Sequence, residues 1–180
     1  MTIQQFKTNL LQVTREFQLR FDSDSKPSRS ARFEILQSEI NETLKAISEN
    51  NTIEILDGFI DQLYVLGGSY EKFSFRMVDS SNYMRQIDLT LKDALRYFSL
   101  ECLQEALIDI HNSNMSKVHS DIFQLIETFQ KYRLDTDNFR VKRISDMQWF
   151  VYDLNINKLL KPLHYQKANL KPILEKYGYC

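Results

Sequence analysis

The chain has 180 residues, 43% of them hydrophobic, with only four glycines and three prolines, which argues against a turn-rich β architecture and allows one domain over residues 1–180 with a core of useful size. Its 23 basic and 24 acidic side chains nearly cancel, and a net charge of −1 argues against a general nucleic-acid binder, which carries a strong basic excess. Two cysteines, Cys102 and Cys180, match no metal or redox motif, and without a signal-like leader or an apolar run of membrane-spanning length the expected setting is a reducing cytoplasm, away from any membrane.

Residues 2–20 are expected to form a first helix, with Ile3, Phe6, Leu10, Val13 and Phe17 on one stripe. Residues 21–30, with Pro27 and several serines, read as a connecting loop. The stretch 33–67 reads as two helices around a short turn. Phe33, Leu36, Ile40, Leu44 and Ile47 recur at steps of three or four, and Ile53, Leu56, Ile60, Leu63 and Leu66 repeat that rhythm. Glu49-Asn50-Asn51-Thr52 breaks it, with Asn51 or Thr52 available as a cap, and Gly67-Gly68 marks the expected end of the second helix.

The acids of this hairpin carry the chemistry. Glu39 and Glu42 are three apart on one helix face, as are Glu54 and Asp57, and Asp61 extends the second face by a turn. In an antiparallel hairpin Glu42 comes level with Glu54, and Glu39 with Asp57. Two readings fit. The acids form a solvated face on surface helices, or they gather round a hard divalent cation, usually Mg²⁺, which relieves the repulsion between close carboxylates.

Residues 69–83 show no clean period, although Phe73, Phe75, Met77 and Tyr83 are expected to pack. Helical rhythm returns over 89–117, with a break near Ser99, and again over 119–133, where Ile122, Phe123, Ile126 and Phe129 are expected to face inward. Asn114 and Lys117 share a face. An Asn amide and a Lys ammonium can hold a phosphate, although a lysine near a helix C-terminus also answers the helix dipole. His111 reads as a packing residue or as a group that orients a ligand. Alternation over 139–144 and 148–152, with a turn at 145–147, predicts a β-hairpin. A short strand at Lys158–Lys161 and a last helix near 171–177 complete the chain.

An E-x-x-E pair followed closely by E-x-x-D resembles the metal signature of the all-α nucleoside triphosphate pyrophosphatases. These are the MazG-like proteins, the dimeric dUTPases and the phosphoribosyl-ATP pyrophosphohydrolases. Arg32, Glu39, Glu42, Glu54-Ile55-Leu56-Asp57, Asp61 and Tyr64-Val65-Leu66-Gly67 resemble the MazG-like branch often carried by phages. So do His111-Asn112-Ser113-Asn114-Met115-Ser116-Lys117 and Lys158-Leu159-Leu160-Lys161 with Tyr165 and Leu170-Lys171-Pro172. These blocks cover about half of the chain. Two departures stand out: Ser38-Glu39 replaces the adjacent glutamates of many relatives, and the chain is longer over about 69–97.

The resemblance implies an all-α MazG-like bundle with a metal-binding helical hairpin and a small C-terminal β-hairpin over about 139–153. It implies hydrolysis of a nucleoside triphosphate to monophosphate and pyrophosphate with Mg²⁺, for which Mn²⁺ can substitute. Glu42 is then the candidate base, and Glu39, Glu42, Glu54, Asp57 and Asp61 are the metal ligands. Asn114, Lys117 and Lys161 hold phosphates, and Tyr165 borders the base. A second subunit would cover the hairpin, giving a homodimer or homotetramer. Phage members that hydrolyse dGTP make guanine the leading expectation in host cytoplasm, against a house-cleaning dUTP, dCTP or damaged-nucleotide enzyme. A non-catalytic interaction module on the same scaffold is the reading from another class. Residues 1–110 hold 12 basic and 17 acidic side chains and residues 111–180 hold 11 and 7. That split suits a metal–triphosphate ligand, and chance accounts for it equally well.

Overall fold

The computed structural model describes residues 1–21, 28–74, 77–133, 137–155 and 158–179. These residues form seven helices and three strands: α1 (Ile3–Phe21), α2 (Arg29–Ser48), α3 (Thr52–Phe73), α4 (Met77–Ala94), α5 (Leu100–Met115), α6 (Ile122–Tyr132), β1 (Phe139–Ser145), β2 (Gln148–Asp153), β3 (Lys158–Leu159) and α7 (Leu170–Lys176). The molecule is thus mostly helical, with a small antiparallel sheet in the order β1-β2-β3. Phe75, Ile156, Asn157, Cys180 and most of the expected loop over 21–30 lie outside the described residues.

The central element is α3. It is apolar round most of its circumference and packs against α1, α2, α4, α5 and α7. Leu56, Ile60 and Leu63 are wholly buried, each contributing about 1.5–3 kcal/mol through burial. Phe6 and Leu10 of α1, Ile87 and Leu91 of α4, Leu103 and Leu107 of α5, and Leu174 of α7 complete this core. A second, smaller cluster joins Leu125 of α6 to Val151 and Leu160 under the sheet.

Two expectations about helix ends meet different outcomes. The break near Ser99 is present: α4 stops at Ala94, and the Ser99 hydroxyl accepts from the Cys102 amide to start α5. The stop at Gly67-Gly68 is absent, because α3 runs on to Phe73. Both glycines serve close packing there. A Cβ on Gly67 would lie 2.9 Å from Thr14, and one on Gly68 would lie 2.7 Å from Gln18 Nε2. The aperiodic region beyond 69 also turns out helical, with α4 beginning at Met77. Met77 is exposed there and Tyr83 partly buried.

Two apolar stripes turn inward only in part. On α2 the buried residues are Ala31, Glu39, Thr43 and Ala46, with Leu36 and Ile47 packed partly buried against the core, while Phe33 is 65% and Leu44 59% exposed. On α6 the buried residues are Leu125 and Thr128, Phe129 packs partly buried against the second cluster as expected, and Ile122, Phe123 and Ile126 face out. Thr128 is drawn in by a hydrogen bond to His119 Nε2 at 2.8 Å. The β-hairpin has the expected place and turn, pairing Phe139 with Asp153 and Arg143 with Trp149. β3 pairs Lys158 with Asp153 and brings the Lys158 ammonium to Glu39 of α2.

Candidate active site

Small and polar residues set the approach of α2 to α3. Ser28 caps α2 by accepting from the Ala31 amide, and Asn51 caps α3 by accepting from the Glu54 amide. Between the caps, a Cβ on Gly58 would lie 2.3 Å from Thr43 Oγ1, so only glycine admits the observed contact. Thr43 Oγ1 donates to the Glu39 carbonyl at 2.7 Å and accepts from Gln62 Nε2 at 2.7 Å. Pairing Thr43 with Gly58 and Gln62 moves the register along α3 by about one helical turn from the sequence expectation. Glu39 therefore acts on Asp61 as well as Asp57, and Glu42 acts on Asp57. Glu54 stays exposed at the outer end, where its charge acts on Asp57.

Beside these acids lies a cavity of about 370 Å³. α2 and α3 supply Glu39, Glu42, Asp57 and Asp61 to its lining. The end of α5 and the residues after it supply Asn114 and Lys117, and the returning strand and its continuation supply Lys158 and Lys161. An aromatic and amide-bearing section comes from Phe17, Gln18 and Phe21 of α1, Tyr64 of α3 and Tyr152 of β2, and Arg32 and Ile35 of α2 and Val65 of α3 also line the space. One space thus joins an acidic group, a basic group and an aromatic section, as an anionic, cation-bound ligand with a planar ring requires.

The electrostatics follow from burial. Withdrawal from water, then the charges of Asp57 and Glu39, push Asp61 up to about 8, so it keeps its proton near neutrality. Asp57 is raised by burial and then by Glu54. Glu39 is raised by burial, against the pull of Lys158, whose Nζ lies 3.6 Å away. Lys117 is brought down to about 8 by burial, while the Asp61 charge works the other way. Close buried carboxylates raising one another's pKa are oxygen donors that a divalent cation would satisfy, so the donor set matches a hard ion in kind. Among the described residues no three His, Cys, Asp or Glu side chains are already drawn into a formed metal-holding group.

Seven of the nine residues singled out from the sequence line this cavity: Glu39, Glu42, Asp57, Asp61, Asn114, Lys117 and Lys161. Glu54 and Tyr165 do not. Tyr165 is held beside it, with its hydroxyl 2.6 Å from Ser113 Oγ and Lys161 Nζ over its ring at 4.8 Å. Sequence reasoning missed Phe17, Gln18, Tyr64 and Tyr152 as lining residues, and missed Lys158 as the partner of Glu39. The Lys158-to-Lys161 spacing was the available signal for the last. No family model matches the chain, and no curated protein or solved structure matches it either.

Proposed function

We propose that this protein is a Mg²⁺-dependent nucleoside triphosphate pyrophosphohydrolase of the MazG-like kind, cleaving between the α and β phosphates. One observation carries the reading: a single cavity holds Glu39, Glu42, Asp57 and Asp61 together with Asn114, Lys117, Lys158 and Lys161. Glu39, Asp57 and Asp61, with Glu42 and the outlying Glu54, are the residues to hold Mg²⁺ or Mn²⁺. When bound, the ion supplies charge neutralisation and polarisation of the phosphoryl group. Glu42 takes the proton of the attacking water. Lys117, Lys161 and Asn114 hold the phosphates and the leaving pyrophosphate, and the aromatic section borders the base. Guanine is the proposed base, with dGTP giving dGMP. The outward apolar residues of α2, Phe33 and Leu44, support assembly into a homodimer or homotetramer.

The test is a panel of ribo- and deoxynucleoside triphosphates with Mg²⁺ or Mn²⁺, read by product identity. Monophosphate plus pyrophosphate, fastest from dGTP, is the expected outcome. Preference for dUTP or dCTP keeps the reaction and replaces the base. Diphosphate plus orthophosphate refutes the α-phosphate mechanism. No turnover of any nucleotide leaves the helical interaction module as the reading.

A further inference from the structure

A chain of polar groups leads from the surface of α1 to the cavity. Glu16, whose side chain is 59% exposed, lies at the surface, with Oε2 3.5 Å from His111 Nε2. The His111 Nδ1 is 3.0 Å from the Tyr64 hydroxyl. Tyr64 in turn bonds the Asn114 side chain. Asn114 Oδ1 accepts from Lys117 Nζ at 2.5 Å. His111 and Tyr64 are only 7% and 8% exposed, so water does not compete along the middle of the chain.

Chemistry gives this chain one direction. A carboxylate only accepts, so His111 Nε2 carries the ring proton and Nδ1 offers a lone pair. The Tyr64 O–H must then donate to Nδ1, which leaves its oxygen to accept from the Asn114 amide N–H. With its N–H₂ group so engaged, Asn114 turns its carbonyl oxygen toward the Lys117 ammonium. A flipped amide would instead set N–H₂ against that cation.

We propose that Glu16, His111 and Tyr64 are positioning residues that act through Asn114 to aim the Lys117 ammonium at a polyphosphate in the cavity, an inference that rests on the phosphate-binding role given above to Lys117. Glu16 and His111 are not among the residues that line the cavity, so they act through Tyr64 and Asn114 alone.

The test is calorimetric binding of inorganic tripolyphosphate with Mg²⁺ to the full chain. Lys117→Met is expected to weaken binding by about tenfold or more, the scale of one charge-assisted hydrogen bond. Tyr64→Phe, which keeps the ring in the core, is expected to weaken it by about tenfold and to add nothing in the Lys117→Met background. Glu16→Leu, at an exposed position, is expected to weaken binding in the same way. Glu16→Gln restores it, because an amide oxygen still accepts from Nε2. Binding by Tyr64→Phe and Glu16→Leu within twofold of the parent, with Lys117→Met impaired, overturns the relay and leaves the functional reading standing. An equal loss from Tyr64→Phe with and without Lys117 overturns it too. An unimpaired Lys117→Met overturns both the relay and the phosphate role of that lysine. Binding as expected without nucleotide turnover leaves the relay and removes the enzyme.

Discussion

Replacing Gly58 by alanine tests how the acidic hairpin is held together. The added Cβ would sit 2.3 Å from Thr43 Oγ1, 3.1 Å from its Cβ and 3.3 Å from its Cα, so α2 must retreat or Thr43 must turn. Turning is resisted, because Thr43 Oγ1 is bonded to both the Glu39 carbonyl and Gln62. Overpacking costs about 1–3 kcal/mol, and losing one of those bonds adds about 1 kcal/mol. The sum is about 2–4 kcal/mol, which for a chain of this size lowers Tm by roughly 5–15 °C. Thermal melts followed by circular dichroism give the number. The double variant Gly58→Ala/Thr43→Ala removes the nearest atom and is expected to be less destabilised than the two single changes added together. A Tm for Gly58→Ala within about 2 °C of the parent would refute the close-contact account of the register.

Three further outcomes are expected. Glu42→Gln lowers turnover by about 10²–10⁴-fold at any Mg²⁺ concentration, whereas the defect of Asp57→Asn shrinks as Mg²⁺ is raised; equal rescue of both by Mg²⁺ makes Glu42 a ligand only. In metal-free buffer the folded Asp61 keeps its proton up to about pH 8 while the unfolded chain releases it near 3.8, so stability falls as pH rises through that window. Lys117 reverses the trend above about pH 8, since the folded state sheds that proton before the unfolded chain does. Denaturant melts across pH should show Asp61→Asn abolishing much of the fall, and an unchanged slope refutes the buried acid. Light scattering at micromolar concentration is expected to report a dimer or tetramer, and Phe33→Asp to shift it toward monomer; a fully active monomeric parent refutes the assembly.

The parts of the fold governed by neighbours in sequence were legible. Asn51 caps α3 as expected, the helical rhythm breaks near Ser99, and the alternation over 139–152 forms its hairpin. What escaped depends on partners distant along the chain. The register of α2 on α3 is decided by Thr43 meeting Gly58 and Gln62, which no periodicity reports. The facing of α6 turns on Thr128 answering a buried histidine, so Ile122, Phe123 and Ile126 are left outside. Gly67 and Gly68 carry a stop signal that packing against α1 converts into a contact. For the site, the sequence placed the acids on shared faces, but Phe17, Tyr64 and Tyr152 reach the cavity from three separate elements.

Because the lysines of the cavity come from the end of α5 and beyond, the site has an order of birth. The acidic hairpin is local and able to form as soon as α3 leaves the ribosome. Lys117, the first cavity lysine to be made, follows Glu39 by roughly 80 residues, on the order of ten seconds of synthesis, and Lys158 comes later still. Until Lys117 emerges the nascent chain carries a carboxylate cluster with no cavity lysine across from it, and a dissolved cation is the available neutraliser. A ribosome stalled before the end of α5 should therefore display a hairpin whose compaction depends on divalent ions, and the compaction of the finished chain should depend on them less.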